Sequence, residues 1–383
     1  MPAGFWHTFG MAHVGDLGFR CRSVAWGIRF LLCVLGLPVL WSGALLRAQD
    51  TSTPQDEPIH TLHVYTNLIQ IPTLVLGPYR EQIRKPIAES RFSVSIDNGP
   101  WFRATHVRQE GDDPISLAIL LDVSGDSAEL MPKISDAIAG LAPLSLHPKD
   151  SVSIYALDCA LARSWNNAPA DNEGLKVAVD AALQFWTTRM HKKHERNCQQ
   201  SVHLWDALAY VIAAGDRALG RQVILVVSDG RDKGSTRSWN EVRVFAQAGG
   251  VAVFGISDIP AYATGTSRMF PQLDRKNPFQ SLCELTGGMV LLTSSRSFEE
   301  TLKRFTSMLR ERYIVEFPRP GNSTAGQHGM EVKIAKGGGD FIRSSGISVP
   351  LPDAAVLADP TTVPADPSLA PEQGSRKVIT KPQ

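Results

Sequence analysis

The stretch Ile115-Ser-Leu-Ala-Ile-Leu-Leu-Asp122-Val-Ser-Gly-Asp126 decides the fold. Its first seven residues are apolar except for one serine and do not alternate, which is the signature of a strand covered on both faces. An acid closes the run, and a hydroxyl and a second acid follow on what reads as a tight loop. The same grammar returns farther along: Gln222-Val-Ile-Leu-Val-Val227 is a second covered strand, and it ends in Ser228-Asp229-Gly230. Around these two runs, strands and helical stripes take turns. Residues 128–142 carry Leu130, Ile134, Ile138 and Leu141 at helical spacing, and Ser151-Val-Ser-Ile-Tyr-Ala-Leu157 reads as a strand. Residues 172–188 place Leu175, Val179, Leu183 and Trp186 on one stripe, and residues 203–217 do the same with Leu204, Leu208, Val211 and Ile212. A helix over 237–248 is closed by Gly249-Gly250 and followed by the strand Val251-Ala-Val-Phe-Gly-Ile256. A short helix over 277–286 is stopped by Gly287-Gly288 before the strand Met289-Val-Leu-Leu292. Ser297 with Glu300 reads as a capping box opening a helix that carries Phe298, Leu302, Phe305 and Leu309. This alternation predicts an α/β fold: a doubly wound, mainly parallel sheet with helices on both faces.

Working outward, both flanks of this core turn β-rich. Leu62 to Leu76 is dense in β-branched and aromatic residues, and Phe92-Ser-Val-Ser-Ile96 alternates with period two. Asp97-Asn98-Gly99-Pro100 is a turn signal from which Trp101 to Val107 can return as the partner strand. On the far side, Tyr313 to Phe317, Met330 to Ile334 and Phe341 to Arg343 are expected to form a β-hairpin segment. The expected order is a signal peptide at 1–48, a linker at 49–60 and an N-terminal β-rich segment at 61–110. The α/β domain follows at 114–312, then the C-terminal β-hairpin segment at 313–349 and a disordered Pro/Ala-rich tail at 350–383.

The first residues read as an address. Arg20, Arg22 and Arg29 precede the apolar run Phe30 to Trp41, and small residues at Ser42, Gly43 and Ala44 lead to a polar segment. That order predicts a secretory signal cleaved after Ala48, and hence an exported periplasmic or extracellular protein starting near Gln49. An uncleaved N-terminal anchor is the alternative, and Met11 is an alternative start. Beyond it, the mature chain has no apolar run long enough to span a membrane. Of five cysteines, Cys159, Cys198 and Cys283 lie beyond the signal. Cys159 follows the strand Ser151–Leu157 and Cys198 precedes the helix at 203, so both are expected at the upper rim of the sheet, joined as a disulfide.

Composition narrows the function classes. The 383 residues carry 39 Lys+Arg and 38 Asp+Glu, a net charge of +1, which offers no electrostatic footprint for nucleic acid. With 43% hydrophobic residues a sizeable core can form, which excludes wholesale disorder. No Gly-x-Ser-x-Gly elbow and no Gly-x-x-x-x-Gly-Lys phosphate loop occur, and nothing in the pattern points to an enzyme. His191, His194, Cys198 and His203 have zinc-type chemistry, but the stretch around them is highly charged and reads as a solvated loop. The chemistry-bearing residues are the acids at the strand ends. In an open α/β sheet ligands bind beyond the carboxyl ends of the strands. Carboxylates and hydroxyls at alternate positions on a tight loop can converge oxygens on a hard divalent cation, or can simply cap the next helix.

Ile119 to Asp126, followed by Val226-Val-Ser-Asp-Gly230, resembles the von Willebrand factor type A domain. The first loop is similar to its Asp-x-Ser-x-Ser metal motif and the second to its Thr/Ser-Asp-Gly motif. The lead-in Ser90-Arg-Phe-Ser-Val94 with Asp97-Asn-Gly99, and Pro114-Ile-Ser-Leu, resemble the secreted type A-related proteins abundant in Acidobacteria. The resemblance implies a metal-ion-dependent adhesion site for Mg²⁺ or Mn²⁺, with Asp122, Ser124 and Asp229 matching the motif. Asp126 stands where the family has a second serine. The family's middle-loop threonine, four residues before an Asp-Ala pair like Asp206-Ala207, falls on Val202, so Ser201 is the nearest substitute ligand. Losing one ligand implies weak affinity, with a dissociation constant on the order of 0.1–1 mM. The function implied is a non-enzymatic, adhesion-type module that binds a protein or cell-surface ligand through the loops above the sheet. The alternative is a metal-independent structural or assembly scaffold of the cell envelope.

Overall fold

The computed structural model describes residues 68–83, 85–123, 130–142, 145–191, 203–215, 220–232, 234–258, 277–318, 326–336, 340–345, 347–349 and Gly374. Two compact units divide the chain, Met1–His60 and Thr61–Gln383, and every described residue belongs to the second. The signal peptide, the linker and all of the tail but Gly374 therefore lie outside the described residues. Among the described residues no helix is long and apolar enough to cross a membrane.

The chain enters through β1 (Leu68–Leu76), a 3₁₀ turn at Glu89–Arg91, β2 (Phe92–Ile96), β3 (Phe102–Arg103) and β4 (His106–Gln109). Then come β5 (Ile115–Asp122), α1 (Met131–Ala139), β6 (Ser151–Leu157), β7 (Leu161–Pro169), α2 (Asn172–His191) and α3 (Leu204–Ala214). The core closes with β8 (Arg221–Val227), α4 (Trp239–Gly249), β9 (Ala252–Asp258), α5 (Pro278–Leu285), β10 (Val290–Thr293) and α6 (Phe298–Arg310). It leaves through β11 (Tyr313–Pro318), β12 (Gly326–His328), β13 (Met330–Ile334), β14 (Phe341–Ser344) and β15 (Ile347–Val349).

The central sheet has six strands in the order β10-β9-β8-β5-β6-β7. All neighbours are parallel except β6 and β7, which form an antiparallel edge. The expected α/β fold, a doubly wound, mainly parallel sheet with flanking β-rich segments, is what the structure shows. One face is covered by α1, α2 and α6, whose Ile134, Leu175, Val179, Leu302 and Phe305 pack on Leu117, Ile119 and Leu225. The other is covered by α3, α4 and α5, whose Leu208, Val242 and Phe279 pack on Leu120, Val226 and Val253. Coverage on both faces is why the strands read as continuous apolar runs.

Two local expectations are corrected. The capping box at Ser297–Glu300 does not form: the Ser297 side chain makes no cap, and its Oγ accepts from Ser294 N at 3.1 Å instead. The capping box sits at the start of α4, where Ser238 accepts from Glu241 N and Glu241 accepts from Ser238 N. The β-hairpin expected over 313–349 is not how those strands pair. β11 lies antiparallel between β1 and β4, β14 pairs with the other edge of β1, and β13 pairs with β2. The segments before and after the core thus interleave into two small sheets, β14-β1-β11-β4 and β13-β2-β3. The cause is where the chain crosses: the entering strand lies beside the leaving one, with Glu110 N donating to Arg312 O at 2.8 Å and Gly111 N to Arg310 O at 2.9 Å. The crossing is pinned by the Glu110–Arg312 ion pair at 2.7 Å, with both side chains at most 1% exposed. Phe92, Val94, Val315 and Phe317 form the core between the two sheets.

The turn at Asp97-Asn98 is as expected: both have positive φ, 50° and 59°, and Gly99 N donates to Ile96 O at 2.8 Å. The return strand is shorter than expected, because only Phe102–Arg103 pairs with β2 before His106–Gln109 leaves for the other sheet.

Candidate functional site

The carboxyl edge of the central sheet is an acidic row. Asp122 ends β5, Asp158 follows β6, Asp229 follows β8 and Asp258 ends β9; each is buried. The register aligns Leu121 with Val227 and Val227 with Ile256, so Asp122, Ser228 and Ser257 stand level on three adjacent strands. Period-two alternation turns Asp122 and Ser228 to the face that carries α3. There Ser228 Oγ donates to Asp122 Oδ2 at 2.6 Å and accepts from Gly230 N at 3.0 Å. Asp229 Oδ1 accepts from Arg231 N at 2.9 Å, and Arg231 Nε lies 3.9 Å from Asp229 Oδ2.

Of the expected ligands, the structure therefore brings Asp122 and Asp229 to one edge. Ser124, Asp126 and Ser201 lie outside the described residues. Ser228, read only as part of a motif, is the hydroxyl that touches Asp122. Asp158 and Asp258 carry the signal that singled out Asp122, an acid directly at a strand end, and the sequence reading passed over them. Asp158 is held by Arg189 of α2, whose Nε donates to Oδ2 at 3.1 Å and whose second guanidinium nitrogen donates to Oδ1.

The loop after β8 is built onto the start of α3. Asp232 Oδ1 accepts from Trp205 N at 3.3 Å, and Ser235 Oγ accepts from Asp206 N at 3.3 Å. In return Asp206 accepts from Thr236 N at 2.9 Å, Thr236 Oγ1 at 2.9 Å and Arg237 N at 3.1 Å. Burial pushes the Asp206 carboxyl up, but the bonds from Thr236 and Arg237 outweigh it and hold the group below its ordinary value. The residue before the helix, His203, makes no side-chain cap. Of the zinc-type set, His191 Nδ1 is bonded to Thr187 O at 2.7 Å, while His194 and Cys198 lie outside the described residues. Cys159 is in a disulfide whose partner also lies outside them, and Cys283 is free and buried.

The donors described here are hard oxygens, two carboxylates and a hydroxyl at one edge, which is the chemistry Mg²⁺ and Mn²⁺ take. The Arg231 guanidinium beside Asp229 supplies competing positive charge. Among the described residues no three His, Cys, Asp or Glu side chains converge as a complete metal cluster. The described part of the site thus fits a hard cation only in combination with the loop after β5.

No family model matches the sequence, and no curated protein matches it. Solved structures do. Proximal thread matrix protein 1 from the mussel byssus is 15% identical over 52% of this chain, with a TM-score of 0.37. The same mussel protein with a zinc-occupied MIDAS motif is 14% identical, also at 0.37. BatB from Bacteroides thetaiotaomicron is 15% identical over 51% of this chain and 98% of its own, at 0.34. This chain spans about half the mussel protein, 49% of it. The strand order and the paired strand-end acids, not these distant likenesses, carry the assignment of this chain to the doubly wound α/β class.

Proposed function

We propose that this chain is an exported, non-enzymatic binding module that engages a protein or cell-surface ligand through the carboxyl edge of its central sheet. The observation that carries the reading is the Asp122–Ser228–Asp229 edge. Two buried carboxylates beside an oriented hydroxyl stand where open α/β sheets bind ligands, on strands otherwise given over to core. The loop bearing Asp229 is bound to α3 through Asp232, Ser235 and Asp206, so this surface is preorganised and loses little entropy on binding.

The same edge supports a cation as part of the binding surface. Asp122, Ser228 and Asp229 would hold it, together with Ser124, Asp126 and Ser201. A bound Mg²⁺ or Mn²⁺ supplies a coordination position that a carboxylate of the ligand can take. Ser228 keeps one Asp122 oxygen oriented, and Arg231 lowers the affinity by partly satisfying Asp229. A metal-independent envelope scaffold is the competing reading.

Binding to proteins cross-linked from the native envelope tests the proposal. The wild-type chain should capture a discrete partner that Asp122→Ala and Asp229→Ala lose together, and chelator should weaken the capture. Capture indifferent to both substitutions would place the binding surface elsewhere.

A further inference from the structure

A groove of about 690 Å³ opens between α4, α5 and the edge of the two small sheets, far from the acidic row in the fold. Its wall carries one aromatic side chain, Trp101, and charges of both signs, Arg243, Lys333 and Arg343 against Glu284 and Glu331. Lys333 Nζ lies 3.9 Å from the centroid of Trp101, which is 42% exposed. Arg243 and Arg343 line the same groove, the latter bonded to Glu284 at 2.7 Å. At its floor Ser345 is 2% exposed, and its Oγ has no partner.

Both ends of one chain segment are fixed to elements that border this groove. Val349 ends β15 opposite Gly326, on the short ribbon whose His328 lines the groove. Gly374 returns to the turn after β2, where its N donates to Ile96 O at 3.0 Å. Asp97 of that turn is bonded to His328 and Gly329, both in the groove wall, at 2.7 and 2.8 Å. The seat demands glycine: a Cβ on residue 374 would lie 2.3 Å from Asp97 O and 2.6 Å from Gly99 N, both backbone atoms.

We propose that the groove is the docking site of the chain's own segment between Val349 and Gly374. Charge favours it: Arg343 holds Glu284, Arg243 and Lys333 outnumber the remaining Glu331, and the segment holds Asp353, Asp359, Asp366 and Glu372 and no lysine or arginine. Chemistry favours it too: the segment is punctuated by Pro350, Pro352, Pro360, Pro364, Pro367 and Pro371, and proline-rich chains dock at low entropic cost against exposed aromatic rings, of which Trp101 supplies one. Tethering at both ends keeps its effective concentration in the millimolar range, so weak contacts suffice.

The test is cleavage of the full chain by a protease specific for Asp and Glu, followed site by site by mass spectrometry. The wild type should be cut slowly within 350–373. Gly374→Ala, which unseats the clamp, and Lys333→Glu, which reverses the groove charge, should each speed cutting about tenfold, with the circular dichroism of the core unchanged. Added salt should speed wild-type cutting, because the contact is partly electrostatic. Wild-type cutting as fast as that of Gly374→Ala overturns the proposal. So does acceleration by Gly374→Ala alone, which would leave the segment seated outside the groove. Protection that rises with protein concentration also overturns it, in favour of a second copy.

Discussion

Ser228 shows how much one hydroxyl settles at the edge of the sheet. It donates to Asp122 at 2.6 Å and accepts from Gly230 at 3.0 Å, so it fixes the acid and the turn that presents Asp229 together. Asp206 does the same for the other side of that loop. Its folded-state value lies below the ordinary 3.8, so its contribution is fully present above pH 3.8 and is lost as pH falls through the folded value. Asp206→Ala is expected to cost about 1–2 kcal/mol at pH 7, as charged hydrogen bonds to backbone amides do. The deficit should narrow in acid below that value. Denaturant unfolding of both proteins across pH 2 to 7 measures it; a deficit that stays constant down to the lowest pH would show that the carboxylate charge is not what Thr236 and Arg237 hold. The pairing was not legible in the sequence. Asp206 and Thr236 are 30 residues apart, and no local pattern announces a bond across that gap.

At the scale of elements, the covered strands were legible because burial on both faces writes itself as an unbroken apolar run. β7 was not. Leu161–Pro169 is only partly buried and pairs with β6 through a register shift, and Asn167 has φ 49°, so neither an apolar run nor a period of two survives. β1, β2, β11, β13 and β14 were read as strands, but their partners were not, because β1 with β11 and β2 with β13 are joined across the whole core. Packing between elements also fixes the site. Gly230 has φ 75°, and a Cβ there would lie 2.6 Å from Phe279 Cδ1 of α5. Gly230→Ala should therefore cost about 2–4 kcal/mol, the sum of a left-handed alanine and an overpacked contact. Thermal unfolding would check it, and a variant as stable as wild type would mean that the turn is free to move away from α5.

At the scale of the molecule, the α/β core presents acids at one edge of its sheet, and the interleaved β sheets are fixed at the chain crossing by the buried Glu110–Arg312 pair. Removing one partner of such a pair leaves a buried charge at a cost of about 3–5 kcal/mol, so the crossing is held in one arrangement. Of the candidate ligands, two were legible as acids at strand ends. Asp122 and Asp229 follow from strand grammar and meet at the same edge, while the share of Ser124, Asp126 and Ser201 is decided by loops outside the described residues. The proposed role of this acidic edge is to bind a hard cation weakly and to use it in holding a ligand. Thermal unfolding across a Mg²⁺ and Mn²⁺ titration, on wild type and Asp122→Ala, tests that most directly. With a dissociation constant on the order of 0.1–1 mM, about 1 mM Mg²⁺ should stabilise the wild type by about 0.4–1.4 kcal/mol and leave Asp122→Ala unmoved. No shift with either ion, together with an Asp122→Ala variant at least as stable as wild type, would contradict the claim.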